Sequence, residues 1–561
     1  MGDSPVSSHR DEIVDRIRKN KAVVVVGETG SGKSTQIPQY LLEDGMRVVV
    51  TQPRRIAAIS LARRVAGERG CAVGEAVGYA VRFEKRCSSK TRLRYVTDGT
   101  LLRELCSDAA RTYDVVVVDE AHERTLRTDL LLGILKQTAV RVVVMSASID
   151  TKKFSSFFSA PVVSVSGRAF PVSVENTERP SLDYLDDAVR RVRSLCSGGE
   201  GGDVLVFVTG KEDIEKATAL LASEDATVCG LHSGMKLSQQ KAVLEKTKNR
   251  KIILATNIAE TSLTIAGIRF VVDTCRAKKR RTVDGVDELC VELVSSAEAQ
   301  QRAGRAGREA PGVCYRLLTR KEEEGLAPER VPETQQAGLS EMLLLVKSFT
   351  KDVFSFPFLD EPSPLLLREG LLDLHLLGAL DSAGELTETG KAMAKYPLSP
   401  ELARAVVAAD GFGCTEEVSL IVAGLAVGVA VGEGEGTSDH LALLRTLRKK
   451  RPGAETRRVA QTERQLLAIS KQNGFSVSSC GEHLQRILRA FITGSPRRVG
   501  VAWKGQCTTL EGKPLRISPE SLLSGRVEES DFYFIFHGLF LAGSKPQTSF
   551  SSEVFGEWLP F

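Results

Sequence analysis

The chain is short of the features that would mark a secreted or membrane protein. Its eleven cysteines are odd in number, the closest two, Cys275 and Cys290, stand fifteen apart, and no CxxC occurs. Zinc knuckles and a disulfide scaffold are therefore unexpected, and a reducing compartment fits best. No long apolar run exists either. The longest uncharged apolar stretch, 420–432 (LIVAGLAVGVAVG), has thirteen residues, against the ~20 that span a bilayer. The opening MGDSPVSSHRDEIVD is polar and acidic, unlike a signal or transit peptide. Val6 stands where a myristoylation signal wants Ser or Thr. Excess charge is modest, at 76 − 71 = +5, which permits a polyanionic partner without demanding one. A soluble intracellular protein is expected. What is present is length and apolar content: 561 residues, 42% hydrophobic and 26% charged, enough for three to five packed domains.

Two stretches share one rhythm of short β-branched runs, loops and helical patterns. In the first the runs are 22–26, 48–51, 115–119 and 142–146; in the second, 204–208, 228–231, 252–255 and 270–273. Continuous apolar runs alternating with helices predict parallel sheets covered on both faces. The chain thus reads as two α/β domains, 8–166 and 167–325. Beyond Pro328, leucines at helical spacing over 333–348 and 364–380, then the turn at 381–387, predict a winged helix over 326–397. Residues 398–487 read as a helical bundle interrupted at 432–436. The tail, 488–561, alternates in short strands around turns such as Glu511-Gly512, which suggests a small OB-like β-barrel.

Chemistry is concentrated in the first two domains. Directly after a predicted strand comes Gly27-Glu28-Thr29-Gly30-Ser31-Gly32-Lys33-Ser34-Thr35. Its glycines let successive N–H groups curl around phosphates. Lys33 suits the β/γ-phosphates and Ser34 suits Mg²⁺. A second buried run ends in Asp119-Glu120-Ala121-His122. Asp119 at a strand tip beside the glycine loop would hold the metal, and Glu120, projecting into the same site, would also accept the proton of the attacking water. The third element is Gln301-Arg302-Ala303-Gly304-Arg305-Ala306-Gly307-Arg308. Arginines spaced by three are expected on one helical face, with small residues between them allowing close approach, as arginine fingers for a phosphoryl-transfer transition state. A nucleotide in a cleft between two domains follows.

At these residues the chain resembles the DEAH/RHA family of superfamily 2 RNA helicases, in particular its eukaryotic splicing and ribosome-biogenesis branch. The likeness runs through GETGSGKST (27–35), TQPRRIAA (51–58), TDGTLLRE (97–104), DEAH (119–122), SAS (146–148), GRAFPV (167–172), ATNIAETSLTI (255–265) and QRAGRAGR (301–308). It continues through FPFLDEPS (356–363), GELTETGKAMAKYPLSP (384–400) and SDHLALL (438–444). The resemblance implies tandem RecA-like domains and 3′→5′ translocation on single-stranded RNA, driven by ATP or other NTPs with Mg²⁺. It implies that Ser146 and Ser148 couple hydrolysis to domain movement and that Ser262 senses the nucleotide. Gln301, Arg305 and Arg308 would engage the γ-phosphate and water. Arg55, Thr97, Thr209 and Thr256 would meet the RNA backbone. Residues 278–293 match the family's β-hairpin, with a basic first arm (Lys278 to Arg281) and an acidic second one (Asp287, Glu288, Glu292). The hairpin is either a strand separator or a solvated edge.

Three departures stand out. SAS replaces SAT, which keeps the hydroxyl at the third position and should be tolerated. The base clamp pairs Arg64 with Leu244 where an aromatic is usual. The helical and barrel domains are abbreviated. The reading is an NTP-dependent RNA helicase acting on ribonucleoprotein complexes, as a monomer, with a glycine-patch protein as a conceivable activator and a nuclear location by resemblance. An RNA-stimulated switch or clamp, or a DNA translocase, are the competing readings. The basic run Arg448-Lys449-Lys450-Arg451 fits a nuclear signal, but its place in a predicted helical domain favours RNA-channel or surface charge.

Overall fold

The computed structural model describes residues 5–28, 30–105, 112–147, 151–166, 170–199, 201–222, 224–235, 237–245, 247, 249–260, 265–283, 286–431, 436–449, 453–542 and 545–559. The first sheet is built from β1 (Ala22–Gly27), β2 (Val48–Gln52), β3 (Val77–Val81), β4 (Glu84–Arg86), β5 (Leu93–Thr97), β6 (Val115–Val118), β7 (Arg141–Ser146) and β8 (Val162–Val165). Their order is β4-β3-β5-β2-β6-β7-β1-β8. Every pairing is parallel except β3 with β4. Valines dominate the central strands because both faces are covered by helices; all four residues of β6 are buried. The registers Val26↔Ser146, Thr51↔Val118 and Gln52↔Thr97 bring the carboxyl ends of these strands to one edge, where ligands of open parallel sheets bind.

This core begins before residue 8. Val6 is fully buried in it, and its N–H donates to Ser31 O at 3.2 Å, bracing the glycine loop.

The second sheet contains β9 (Val172–Asn176), β10 (Asp203–Phe207), β11 (Thr227–Leu231), β12 (Lys251–Ala255), β13 (Ile268–Asp273) and, after the hairpin β14 (Arg276–Val283) and β15 (Val286–Leu293), β16 (Gly312–Arg316). Its order is β11-β12-β10-β13-β16-β9, parallel throughout. The two domains are RecA-like and tandem. Together they form one compact unit, Met1–Lys279 with Cys290–Glu333; the other unit is Arg280–Leu289 with Thr334–Phe561. The distal half of the hairpin therefore belongs to the second unit.

In that second unit, helices Ser340–Phe349, Pro364–Leu376 and Glu388–Ala394, with the bridge Leu380↔Leu386, make the winged helix. Among the described residues five helices follow, from Pro400–Phe412 to Gln485–Thr493. The boundary expected at 487/488 falls inside the last of them. That helix stays whole because Ile487, Leu488, Ala490, Phe491 and Ile492 are all buried. The apolar run at 420–432 is mostly the buried helix Thr415–Val427, ended by Gly428 at φ 80°. No helix among the described residues is long and apolar enough to cross a membrane.

The barrel has β17 (Val499–Trp503), β18 (Gln506–Thr509), β19 (Pro514–Ile517), β20 (Phe532–Ala542) and β21 (Lys545–Val554). Pairing of β20 with β21 closes it into five strands. Ser438, Asp439 and His440 dock the bundle on β21. Asp439 accepts from Ser551 N at 2.7 Å and Leu522 N at 3.0 Å, and His440 Nδ1 lies 2.7 Å from Ser552 Oγ.

Candidate active site

The glycine loop leaves β1 at Gly27, where a Cβ would come within 2.6 Å of Val165 O; only glycine fits beside β8. Gly30 and Gly32 take φ of +91° and +93°, a region that disfavours other residues. Lys33 opens the helix Lys33–Glu43, and its ammonium donates to Gly27 O, to Glu28 O at 2.9 Å and to Ser31 Oγ at 3.2 Å. Burial lowers its pKa, opposed by Asp119, Glu120 and Glu28. A desolvated cation held by carbonyl and hydroxyl oxygens is poised to exchange them for phosphate oxygens. Thr29 lies outside the described residues.

Asp119 follows β6 and is 3% exposed. Burial, then the charge of Glu120, pushes its pKa up to about 6, while Ser34, Lys33 and Gln52 work the other way. Gln52 donates to one of its oxygens, and Glu120 N donates to the other at 2.9 Å. Glu120 sits at φ 54°, a strained conformation that turns its carboxyl beside His122, with Nε2 3.5 Å from Oε2. Burial raises the Glu120 pKa, then Glu123 adds to it, against Lys33, Arg305 and Arg54. Burial also drives His122 down to about 4, and its Nδ1 accepts from Ala147 N at 3.4 Å. The DEAH segment is thereby tied to the residue after Ser146, itself buried at the end of β7. Two carboxylates crowded in a dry site beside the Ser34 hydroxyl are the oxygen donor set that Mg²⁺ prefers, so Ser34, Asp119 and Glu120 fit the ion. Ser148 lies outside the described residues.

The second domain corrects one expectation. The helix Ser296–Ala303, started by a Ser295/Glu298 capping box, ends at Gly304, so the three arginines do not share a helical face. Arg302, in the last helical turn, is fully buried and points into its own domain. It bonds Asp273 at 3.0 Å and Glu260 at 3.1 Å and lies 4.8 Å over the Phe207 ring. Arg305 and Arg308 are in the turns beyond. Arg305 donates to Glu260 O; burial lowers the pKa of both, and both feel the charge of Glu120 across the cleft. Gly307 is needed where it stands, since a Cβ would meet Phe170 O at 2.5 Å. Gln301 lines a cavity of about 50 Å³ together with His122, Glu123 and Glu260. Ser262 lies outside the described residues.

Further residues complete the cleft that motif reading passed over. Arg54 donates from the first domain to Asn257 O of the second at 3.0 Å and lies 3.5 Å from Glu123. Arg124 makes a buried two-pronged pair with Asp129 at 2.8 and 2.9 Å. Arg54 stood in the two adjacent arginines of TQPRR, informative only through its cross-domain partner, and Arg124 is the arginine after DEAHE, paired within its own domain.

The residues expected along a nucleic acid occupy the same carboxyl edges. Arg55 starts the helix after β2 and reaches Glu84 at 3.9 Å, and Thr97 ends β5, its hydroxyl 2.9 Å from Thr100. Thr209 follows β10 and donates to Asp213 at 2.6 Å; Thr256 follows β12 and its N–H donates to Leu231 O at 3.1 Å. Arg64 is paired with Glu68 at 2.9 Å on an exposed helix face. Leu244 ends the helix Leu237–Leu244; its side chain lies outside the described set, as do those of Asp287 and Glu288.

Three family profiles match the chain. Residues 7–157 match the DEAD/DEAH box helicase domain and 187–310 the helicase conserved C-terminal domain. Residues 370–398 match the winged-helix helicase associated domain, HA2.

Proposed function

We propose that this chain, a DEAH-box-type ATP-hydrolysing helicase of superfamily 2 by the three domains it carries, translocates 3′→5′ on single-stranded RNA and remodels ribonucleoprotein complexes. In this reading Lys33 and the loop N–H groups of 27–35 grip the phosphates. Mg²⁺ held by Ser34, Asp119 and Glu120 would supply charge neutralisation at the β- and γ-oxygens. Glu120 takes the proton of the attacking water, Arg305 and Arg308 stabilise transition-state charge, and Gln301 positions the water. Ser146, Ser148 and Ser262 relay the state of the site to the domain movement.

One observation carries the nucleic-acid reading. The Arg54–Asn257 hydrogen bond joins the residue before Arg55 to the residue after Thr256, so the backbone-contact positions of the two domains are neighbours across the cleft. Opening or closing the cleft then changes the spacing between two grips on one strand, which is how hydrolysis becomes movement. Such contacts reach phosphate and sugar and read little sequence. RNA as the strand, pre-mRNA splicing or ribosome biogenesis as the setting, a nuclear location, a monomeric state and a glycine-patch activator are part of the proposal by family resemblance.

Strand displacement on matched RNA and DNA duplexes with 3′ or 5′ overhangs tests it. ATP-dependent opening of the 3′-overhang RNA duplex is expected. RNA-stimulated hydrolysis without displacement would make the protein a switch or clamp, and equal opening of DNA would make it a general translocase.

A further inference from the structure

The barrel carries exposed aromatic side chains to which the proposed function assigns no role. Trp503, Tyr533 and Phe555 are 58%, 40% and 56% exposed. The register Val501↔Tyr533 puts Trp503, two residues farther along β17, on the same outward face as Tyr533. The turn after β21 packs there too: a Cβ on Gly556 would lie 3.2 Å from the Tyr533 ring. Phe555 meets Trp558 edge-on at 4.6 Å. Burying these rings would release water favourably, so their exposure marks an interaction site.

Charge decides what fits. Glu528, Glu529 and Asp531 lead into β20 just before Tyr533, and Glu557 follows Phe555 by two residues; all four are exposed, and none forms an ion pair among the described residues. Asp531 is placed against the β17–β18 turn by the bond from Lys504 N at 2.8 Å. Arg526 is matched to Glu553. On a chain whose net charge is +5, the cation next in sequence to Trp503 is Lys504, and no ion pair joins it to these four carboxylates among the described residues. Its ammonium lies 5.9 Å from the Trp503 ring, so the ring already accepts a cation of its own chain. Exposed rings can also stack nucleobases, but carboxylates around them repel phosphate.

We propose that this aromatic and acidic rim binds an arginine- and lysine-rich protein segment, whose guanidinium groups stack on Trp503 and Tyr533 while Glu528, Glu529 and Glu557 neutralise them. It uses none of the residues assigned to the strand groove of the RecA-like domains and does not depend on the substrate proposed for that groove.

The test is fluorescence anisotropy of the full chain, without nucleotide or RNA, against dye-labelled (Gly-Arg)₆, (Gly-Glu)₆ and U₁₂. Only the cationic peptide should need the rim. Its affinity should fall about tenfold in Trp503→Ala/Tyr533→Ala, as expected for the loss of two exposed cation–π contacts. A comparable fall is expected in Glu528→Lys/Glu529→Lys and on raising salt, with U₁₂ affinity unchanged in both variants. Unchanged (Gly-Arg)₆ affinity in either variant overturns the proposal. So does a loss of U₁₂ affinity in the aromatic variant with the peptide unaffected, which would make the rim a base-stacking platform.

Discussion

Arg302→Ala should damage the fold, whereas its neighbours three and six residues on should damage the chemistry. The guanidinium of Arg302 is buried between Asp273 and Glu260 at 3.0 and 3.1 Å, and also donates to Arg276 O at 3.2 Å. Asp273 and Glu260 are 0% and 5% exposed. Truncation removes the cation and leaves two carboxylates in a dry core, which costs about 3–5 kcal/mol. In a domain of this size each kcal/mol moves the midpoint by about 2–4 °C, so the second RecA-like domain should melt roughly 6–20 °C lower. The deficit should shrink as pH falls. Burial already raises the Glu260 pKa and Arg302 opposes it; unpaired, Glu260 protonates more readily in the folded state, and that stability is lost as pH rises through its folded pKa. Scanning fluorimetry of parent and variant at pH 8 and 5.5 reads both effects. A midpoint within about 2 °C of the parent at pH 8 would refute the buried-pair argument.

Four other outcomes are expected. Glu120→Gln should bind a fluorescent ATP analogue as the parent does while kcat falls about 10²-fold or more, because an amide cannot take the proton; undiminished turnover removes Glu120 from that role. Arg305→Ala should cost about 10³ in rate with nucleotide Kd nearly unchanged, and equal losses would mean ground-state phosphate binding instead. With Arg64 and Leu244 as the clamp, GTP, CTP and UTP should be hydrolysed within about tenfold of ATP in kcat/KM, under ~1.4 kcal/mol of discrimination; a hundredfold preference for ATP would reveal base-edge contacts. His440, pushed down to about 3 by burial and then by His537, refuses the proton that its unfolded form takes below pH ~6.5. Its contribution is therefore lost as pH falls below that value, and His440→Gln should flatten the decline of melting temperature between pH 6.5 and 4.5; an unchanged slope would count against it.

How much of this was legible in the sequence depended on whether local chemistry dictated the structure. The glycine loop was readable because phosphate cradling needs positive φ at Gly30 and Gly32 and no Cβ at Gly27. The valine strands were readable because burial on both faces forces continuous apolar runs. Strands β5, β8, β9 and β16 were passed over, being short and carrying polar residues, and β3, whose run is broken by Gly78, is identifiable only once its neighbours pair with it. Strand β21, KPQTSFSSEV, has a polar texture because Ser551 and Ser552 serve the dock with Asp439 and His440 and not an apolar core. The arginine repeat misled for a physical reason: spacing by three assumes a continuing helix, but Gly304 ends it. Arg302 is then turned inward to the core, and only Arg305 and Arg308 face the cleft. Arg54 was invisible as a cross-domain contact because its partner is a backbone carbonyl two hundred residues away.

Strand β20 does two jobs. It pairs with β17 over residues 532–535 and with β21 from Tyr533 to Ala542 as a barrel stave, and at Phe540 it also receives Asp287 of the hairpin strand β15. The two partners are 540 − 287 = 253 residues apart in sequence. Synthesis at about 5–20 residues per second makes the hairpin wait roughly 13–50 s for its neighbour to leave the ribosome. Through that interval β15 is an open edge, able to recruit a strand from another nascent chain. Lysines and arginines on one arm and acids on the other are residues that discourage such pairing. The hairpin's composition thus answers to biogenesis as well as to the finished machine, and neutralising it should lower soluble yield before it alters any rate.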